Sequence, residues 1–366
     1  MFGLKRFARS VASVARARAR TSPSRNTSSS TLEMPRVFTV ISDPESPALK
    51  SLPRSAEIKF VVGNDADSLL ERKPDLNQSC GVIIIPPAST DTLEKIWPQL
   101  NKANWMHCFF AGCDSIMSFI RNQRLDENES FTLTNGKGAF SDSLAEYTIA
   151  AMLHFNKQIP RLISNRQQKK WDKFVMPTLR NKTVGFVGFG HIGQVTAKLC
   201  KDAFGMNVLA LRRHARNSDR FGGNLANKVY TYDNRMEMLK QSDFVVCVLP
   251  GTKETRNFMS QDEFSAMPVH SIFISIGRGT CVDEDALDRA LNEGLIAGAA
   301  LDVFNTEPLP ISSPLWNHEN ILLTAHNADF TTDYFELGWN VWQDNLDRFI
   351  SGNNELATPV NKSLGY

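Results

Sequence analysis

The sequence lacks any apolar run approaching the roughly 20 residues that a membrane-spanning helix needs. It also lacks an excess of either charge, since 41 Lys and Arg against 39 Asp and Glu leave a formal charge of +2. The first absence gives no reason to expect stable membrane association, and the second gives none to expect a nucleic-acid partner. Cysteine is sparse. The six cysteines, Cys80, Cys108, Cys113, Cys200, Cys247 and Cys281, are scattered without the paired spacing of a metal site and fall mostly in apolar runs. They read as reduced, packed thiols, and no metal is expected.

A different absence marks the beginning of the chain. The first 32 residues contain no Asp or Glu but seven basic residues, from Lys5 to Arg25, and close on a Ser/Thr-rich stretch, Ser28-Ser29-Ser30-Thr31. Leu4, Phe7, Val11 and Val14 fall at helical spacing with arginines on the other faces, so the segment reads as a basic amphipathic helix. Residues 1–33 are therefore expected to be a transit peptide, with the mitochondrion as destination and a plastid as the alternative. A basic tail on a cytoplasmic protein is the competing reading.

The remainder is ordinary in composition, 42% hydrophobic and 22% charged, and at 366 residues too long for one compact core. Two domains are expected. Strand-like runs at 37–41, 58–62, 82–85, 106–110 and 131–134 alternate with helical patterns, as a parallel sheet flanked by helices requires. A long helical pattern spans Ser141 to Trp171. A second alternating series follows from Thr183 to His326, its runs at 208–211, 244–248, 272–276, 297–303 and 321–323 almost continuously apolar, as doubly buried parallel strands are. The fold class expected is α/β with two doubly wound parallel-sheet domains, a Rossmann-type cofactor domain at 140–329 and a flavodoxin-like substrate domain at 34–139. A last amphipathic segment, Tyr334 to Ile350, is expected to complete the first domain through residues 330–366. Substrate would lie in the cleft between them.

The strongest single feature is Gly188-Phe189-Gly190-His191-Ile192-Gly193, set between the β-rich run Thr183–Val187 and a helical stretch with Val195, Leu199 and Phe204 at apolar spacing. Gly188 permits the tight turn, Gly190 lets the backbone approach phosphates, and Gly193 lets helix and strand pack closely. The helix N-terminus supplies free amides to a pyrophosphate. A dinucleotide site is expected here.

Three polar segments, Ile276-Gly277-Arg278-Gly279, Asn305-Thr306-Glu307-Pro308 and Thr324-Ala325-His326-Asn327, fall at ends of predicted strands, where open α/β sheets place ligands. Reducing a 2-oxo acid takes a hydride, a proton for the growing alkoxide and a cation for the carboxylate. Arg278 suits the cation, because a planar guanidinium holds carboxylate and carbonyl oxygens together. His326 suits the proton donor, with Glu307 orienting the ring and favouring its charged form.

With the fingerprint, these segments resemble the D-isomer-specific 2-hydroxyacid dehydrogenase family. The likeness extends from Phe110-Ala111-Gly112-Cys113-Asp114 through Leu144-Ala145-Glu146-Tyr147, Leu249-Pro250 with Thr255, Val282-Asp283 and Leu301-Asp302-Val303-Phe304 to His326. The Ala-Gly-Cys-Asp loop and the Leu-Arg-Arg sequence are most similar to the glyoxylate and hydroxypyruvate reductase branch. The resemblance implies backbone amides of Gly112 and Cys113 on the substrate carboxylate, and Leu249, Pro250, Thr255, Ile276, Gly277 and Asp302 beside the coenzyme. Asp302 has an equally simple reading as a structural loop contact. Asp114 reads also as a helix N-cap. A homodimer through the Ser141–Trp171 region is expected. An NAD-dependent D-lactate or D-3-phosphoglycerate type dehydrogenase, or a cofactor-sensing binding protein on the same fold, are the rival readings.

Coenzyme choice turns on one more absence. About twenty residues beyond the fingerprint, where an acid would accept the ribose hydroxyls of NAD, the chain has Arg212 and Arg213, with His214 and Arg216 nearby. NADP is favoured, and NAD remains an alternative. One departure from the family pattern is Asp329, three residues after His326, where a small residue is usual.

Overall fold

The structure, a computed structural model, describes residues 34–86, 88, 90–214, 225–353 and 355–366. The leader at 1–33 and Arg216 lie outside the described residues. From Arg36 to Tyr366 the chain forms one compact unit containing two parallel sheets.

The first sheet comprises β1 (Arg36–Ile41), β2 (Ile58–Gly63), β3 (Ser79–Ile84), β4 (Trp105–Cys108) and β5 (Thr132–Asn135). Its order is β2-β1-β3-β4-β5, all parallel, which is the flavodoxin-like arrangement. The second comprises β6 (Thr183–Val187), β7 (Asn207–Leu211), β8 (Lys228–Tyr230), β9 (Phe244–Cys247), β10 (Ile272–Ser275), β11 (Gly298–Leu301) and β12 (Ile321–Leu323). Its order is β12-β11-β10-β9-β6-β7-β8, again parallel. The strand order reverses between β6 and β9, so the glycine fingerprint leaves β6 at the switch point where such sheets bind their ligands.

The central strands are buried throughout, as their apolar runs require. The short edge strand β8 carries too little pattern in Lys228-Val229-Tyr230 to be read from sequence. The terminal helix Tyr334–Ile350 returns to the first sheet, where Trp342 stacks on Trp105 with ring centroids 6.1 Å apart and Trp339 donates its indole N–H to the Ala48 carbonyl at 2.7 Å.

Two expectations are corrected. The helical pattern from Ser141 to Trp171 is two helices, Ser141–Asn156 and Ile159–Gln167, and not one. Gln158 between them is left-handed, with φ of 52°, and Pro160 has no amide to continue the first helix but fits the first turn of a second. In the helix His191–Asp202, Leu199 is 36% exposed, and the buried face is Gly193, Gln194, Thr196, Ala197 and Cys200. Small side chains let this helix lie close against the second sheet and the helix Ser141–Asn156.

Candidate active site

Gly188 has a φ of 95°, the conformation that turns the chain out of β6. Gly190 then caps the helix His191–Asp202 without using any side chain, at the end where a helix presents its first amides. A methyl group on Gly190 would meet no protein atom within 4 Å, so the fingerprint faces free space on the side where a pyrophosphate belongs. His191 is held from behind, its Nδ1 2.6 Å from Ser141 Oγ. Ile192 packs on the core and Gly193 is buried. These residues fit a dinucleotide.

Beyond β7, Arg212 donates its backbone N–H to the Tyr230 carbonyl at 2.9 Å and lays its guanidinium 4.9 Å from the Phe189 ring centre, beside the fingerprint. Arg213 is exposed, 5.5 Å from the Tyr366 ring centre and within electrostatic reach of Glu254. Sequence reasoning missed the neighbours of Arg213, since Tyr366 and Glu254 lie far along the chain from it.

The remaining coenzyme-side expectations divide. Leu249 and Pro250 are partly exposed at the end of β9. Thr255 donates its hydroxyl to the Pro250 carbonyl at 2.6 Å and accepts the Thr252 amide at 2.8 Å, so its side chain closes its own loop. Ile276 is buried, with Gly277 following it into the Arg278 loop. Asp302 is buried and turned to the protein. Its Oδ1 accepts the Asn327 amide at 3.1 Å and lies 2.6 Å from Thr324 Oγ1, while Oδ2 accepts the Ala328 amide at 3.2 Å. Of its two sequence readings the structural one fits, and what it holds is the loop carrying His326. Ser143 holds the same loop through a 2.6 Å bond to the Ala328 carbonyl.

The catalytic candidates converge. His326 Nδ1 lies 2.7 Å from Glu307 Oε2, and Glu307 Oε1 accepts the Phe304 amide at 2.9 Å, which fixes the carboxylate. His326 Nε2 has no protein partner among the described residues, and the side chain is 41% exposed. His326 itself is left-handed, with φ of 50°, and donates its amide to the Asp302 carbonyl at 2.8 Å. A strained residue held from both sides is the expected form of a preorganised group. Asn305 ties the Glu307 loop to the segment after Arg278 by donating to the Val282 carbonyl at 3.0 Å and to Glu284 at 2.6 Å.

Arg278 enters from the other side. Its Nε donates to Asp114 Oδ2 at 3.1 Å and one terminal nitrogen to the Gly277 carbonyl at 2.9 Å. A Cβ on Gly112 would stand 1.7 Å from the other terminal nitrogen, so a side chain here would push the guanidinium out of its present position. The amides of Gly112 and Cys113 have no acceptor among the described residues, and the Cys113 thiol is turned into the core. Open amides opposed to a guanidinium form a carboxylate site. Asp114 does not cap the short turn that it begins, because Cys113 precedes that turn and no side chain caps it. It pairs with Arg278 instead.

Asp329 is half-buried within electrostatic reach of His326, Arg278 and Asp302, and burial pushes its carboxyl above the usual range against the pull of the two cations. Nearby, Tyr334 stacks on Phe140 with ring centroids 4.3 Å apart, and burial raises its phenol strongly.

A model of the D-isomer specific 2-hydroxyacid dehydrogenase NAD binding domain matches residues 149–328. Glyoxylate/hydroxypyruvate reductase B of Salmonella newport (strain SL254) is 34% identical over 232 residues, 61% of this chain and 69% of that protein. The chain belongs to the D-isomer specific 2-hydroxyacid dehydrogenase family. It is thus an NAD(P)-dependent oxidoreductase acting between 2-oxo and 2-hydroxy acids. D-3-phosphoglycerate dehydrogenase of Methanocaldococcus jannaschii is 28% identical over 326 residues, 88% of this chain but 58% of that protein's length. A probable 2-hydroxyacid dehydrogenase from Rhizobium etli CFN 42, solved with NADP, HEPES and L(+)-tartaric acid, shares the fold. The TM-score is 0.75 at 22% identity, covering 91% of this chain and 99% of that one.

Proposed function

We propose that this member of the family reduces glyoxylate or hydroxypyruvate to the D-2-hydroxy acid with NADPH in preference to NADH. The observation that carries the reading is the Glu307–His326 pair at 2.7 Å, with Nε2 open, in a site that also presents Arg278 and the free amides of Gly112 and Cys113. Arg278 and the two amides bind the substrate carboxylate and orient the 2-oxo group. The reduced nicotinamide, when bound, supplies the hydride. His326 donates a proton from Nε2 to the carbonyl oxygen as charge develops there, while Glu307 keeps the Nδ1 proton in place and offsets the imidazolium charge. The loop anchors of Asp302 and Ser143 hold this geometry from outside. NADPH preference rests on the guanidinium of Arg212 beside the fingerprint, with the exposed Arg213 next to it in the chain, since two such groups suit a 2′-phosphate.

The deciding experiment follows coenzyme oxidation with a panel of 2-oxo acids and both coenzymes. Turnover of glyoxylate or hydroxypyruvate with NADPH is expected, and none with any 2-oxo acid would reject the reading.

The same reading includes a homodimer through residues 141–171. Supporting it, no residue of helix Ile159–Gln167 is buried, Trp171 is 98% exposed and Ile163 is exposed beside it. Sedimentation should give twice the chain mass, and Ile163→Glu with Trp171→Glu should halve it. Mitochondrial import rests on the acid-free basic segment alone. A reporter fused to residues 1–33 that stayed diffuse in the cytosol would reject it.

A further inference from the structure

A cavity of about 350 Å³ adjoins the substrate loop. Its wall is aromatic, with Phe110, immediately before Ala111-Gly112, and Phe330, Tyr334 and Phe335 from the segment after His326. Its charged lining is acidic, Asp43 and Glu45 beside the neutral Ser46, and no Lys, Arg or His lines it among the described residues. Asp329 connects the two places along the chain, three residues after His326 and immediately before Phe330. Its carboxylate has no hydrogen bond to another residue among those described, although it is half-buried and close enough to feel His326 and Arg278. A half-buried carboxylate whose one donor is its own backbone amide keeps acceptor capacity for a further donor. Arg278 does not bond it, its donors going to Asp114 and the Gly277 carbonyl and, on the reading above, to the reacting carboxylate.

We infer that Asp329 sets the enzyme's choice of substrate tail: it accepts 2-oxo acids whose carbon chain carries hydroxyl groups and rejects those carrying a second carboxylate or a phosphate. The inference rests on the proposed reductase function. A hydroxyl on the carbon beyond the reacting carbonyl donates to Asp329, and the apolar faces of a hydroxylated chain lie on Phe110 and Tyr334. A second anion meets a carboxylate of its own sign, and behind it Asp43 and Glu45, with no cation in the cavity wall to pair with. Like charge opposed in a partly desolvated site works as an element of rejection, in the way that specific sites exclude a competitor.

The test uses three substrates that differ only in the tail: glyoxylate, hydroxypyruvate and 3-phosphohydroxypyruvate. Glyoxylate has no tail and serves as denominator in each protein. In the parent enzyme kcat/KM should favour hydroxypyruvate over its phosphate ester by about tenfold or more, the factor that roughly 1.4 kcal/mol of repulsion produces. Asp329→Asn keeps the size and removes the charge, and Asp329→Ser removes both. Either should narrow that ratio by about tenfold, mainly through the KM of the phosphate ester. A parent enzyme that turns over the phosphate ester as well as hydroxypyruvate overturns the inference without any variant. So does a ratio unchanged in both variants while glyoxylate is still reduced. Absence of turnover with all three in the parent is a different result, and it overturns the reductase reading together with the inference built on it.

Discussion

Arg278, on the loop after β10, donates from Nε to Asp114 Oδ2, on the loop after β4, at 3.1 Å. The two sheets thus meet at the residue proposed to bind substrate, and on that proposal Asp114 is a positioning residue for the guanidinium. Both side chains are partly exposed, 33% and 49%, so the pair contributes little to stability. Asp114→Asn should leave the thermal midpoint nearly unchanged but raise the KM for the 2-oxo acid several-fold. Arg278→Lys should go further, losing about ten- to a hundredfold in kcat/KM, because an ammonium cannot make two parallel contacts. Parallel kinetics and melting curves separate these effects. An Asp114→Asn enzyme with lowered midpoint and unaltered KM would show that the pair is structural.

His326→Ala should remove about two to four powers of ten from kcat, the usual contribution of a positioned general acid. Coenzyme affinity should stay near the parent value, as His326 has no contact with the fingerprint in the structure. Fluorescence titration with NADPH beside steady-state kinetics checks both halves. Loss of coenzyme binding in step with kcat would place the histidine in the wrong role.

On the proposed mechanism Glu307 acts through His326, to which it is bonded at 2.7 Å, so its effect should vanish when the histidine is gone. Glu307→Gln is expected to lower kcat by about tenfold or more, and in a His326→Ala background to change it hardly at all. Additive losses in the double variant would mean that Glu307 serves some other step.

Arg212→Asp combined with Arg213→Ala should invert coenzyme preference. The change removes two charge-assisted contacts to a 2′-phosphate, each worth about 1.5–3 kcal/mol, and adds an acceptor for free ribose hydroxyls. The measured quantity is kcat/KM for NADPH over that for NADH at one salt concentration. A parent ratio below one would sink the NADPH assignment, as would a ratio indifferent to the substitutions.

Acid should weaken the first sheet through His107. Its imidazole is wholly buried, Nδ1 lies 2.8 Å from Thr134 Oγ1, Nε2 has no hydrogen-bond partner among the described residues, and burial pulls its pKa from 6.5 to about 3. Between those values the unfolded chain binds a proton that the folded one refuses, so stability falls as pH drops below 6.5. At pH 5 the loss is about 2 kcal/mol. His107→Gln should abolish this part of the acid sensitivity. Urea unfolding of both proteins at pH 7 and pH 5 gives the comparison, and an equal pH penalty in the two would contradict it.

Much of this was legible without coordinates because it is written in local pattern. The buried parallel strands announce themselves as apolar runs, and the fingerprint works through glycines whose backbone demands are local. Where the pattern was weak, at β8, or where one proline divided a continuous helical period, at Pro160, the reading failed. Leu199 misled for a related reason. Hydrophobicity marks a buried face only when the partner leaves room for large side chains, and here close helix packing selects Gly193, Ala197 and Cys200.

The site shows the same division. Arg278, Glu307 and His326 were identifiable by residue type and by their position at strand ends, because chemistry restricts which groups can hold a carboxylate or carry a proton. Their partners were not, since Asp114 lies 164 residues from Arg278 and Ser143 lies 185 from Ala328. The sequence by itself determined the α/β class, the glycine turn after β6 and which residue types were candidates for the chemistry. Only the tertiary structure decided that Asp302 holds the loop carrying His326, that Thr255 closes its own turn, and that Asp329, with no hydrogen bond to another described residue, lies within electrostatic reach of His326 and Arg278. A hydrogen bond is decided within about 3 Å, and no local pattern in the chain records which distant atoms will arrive there.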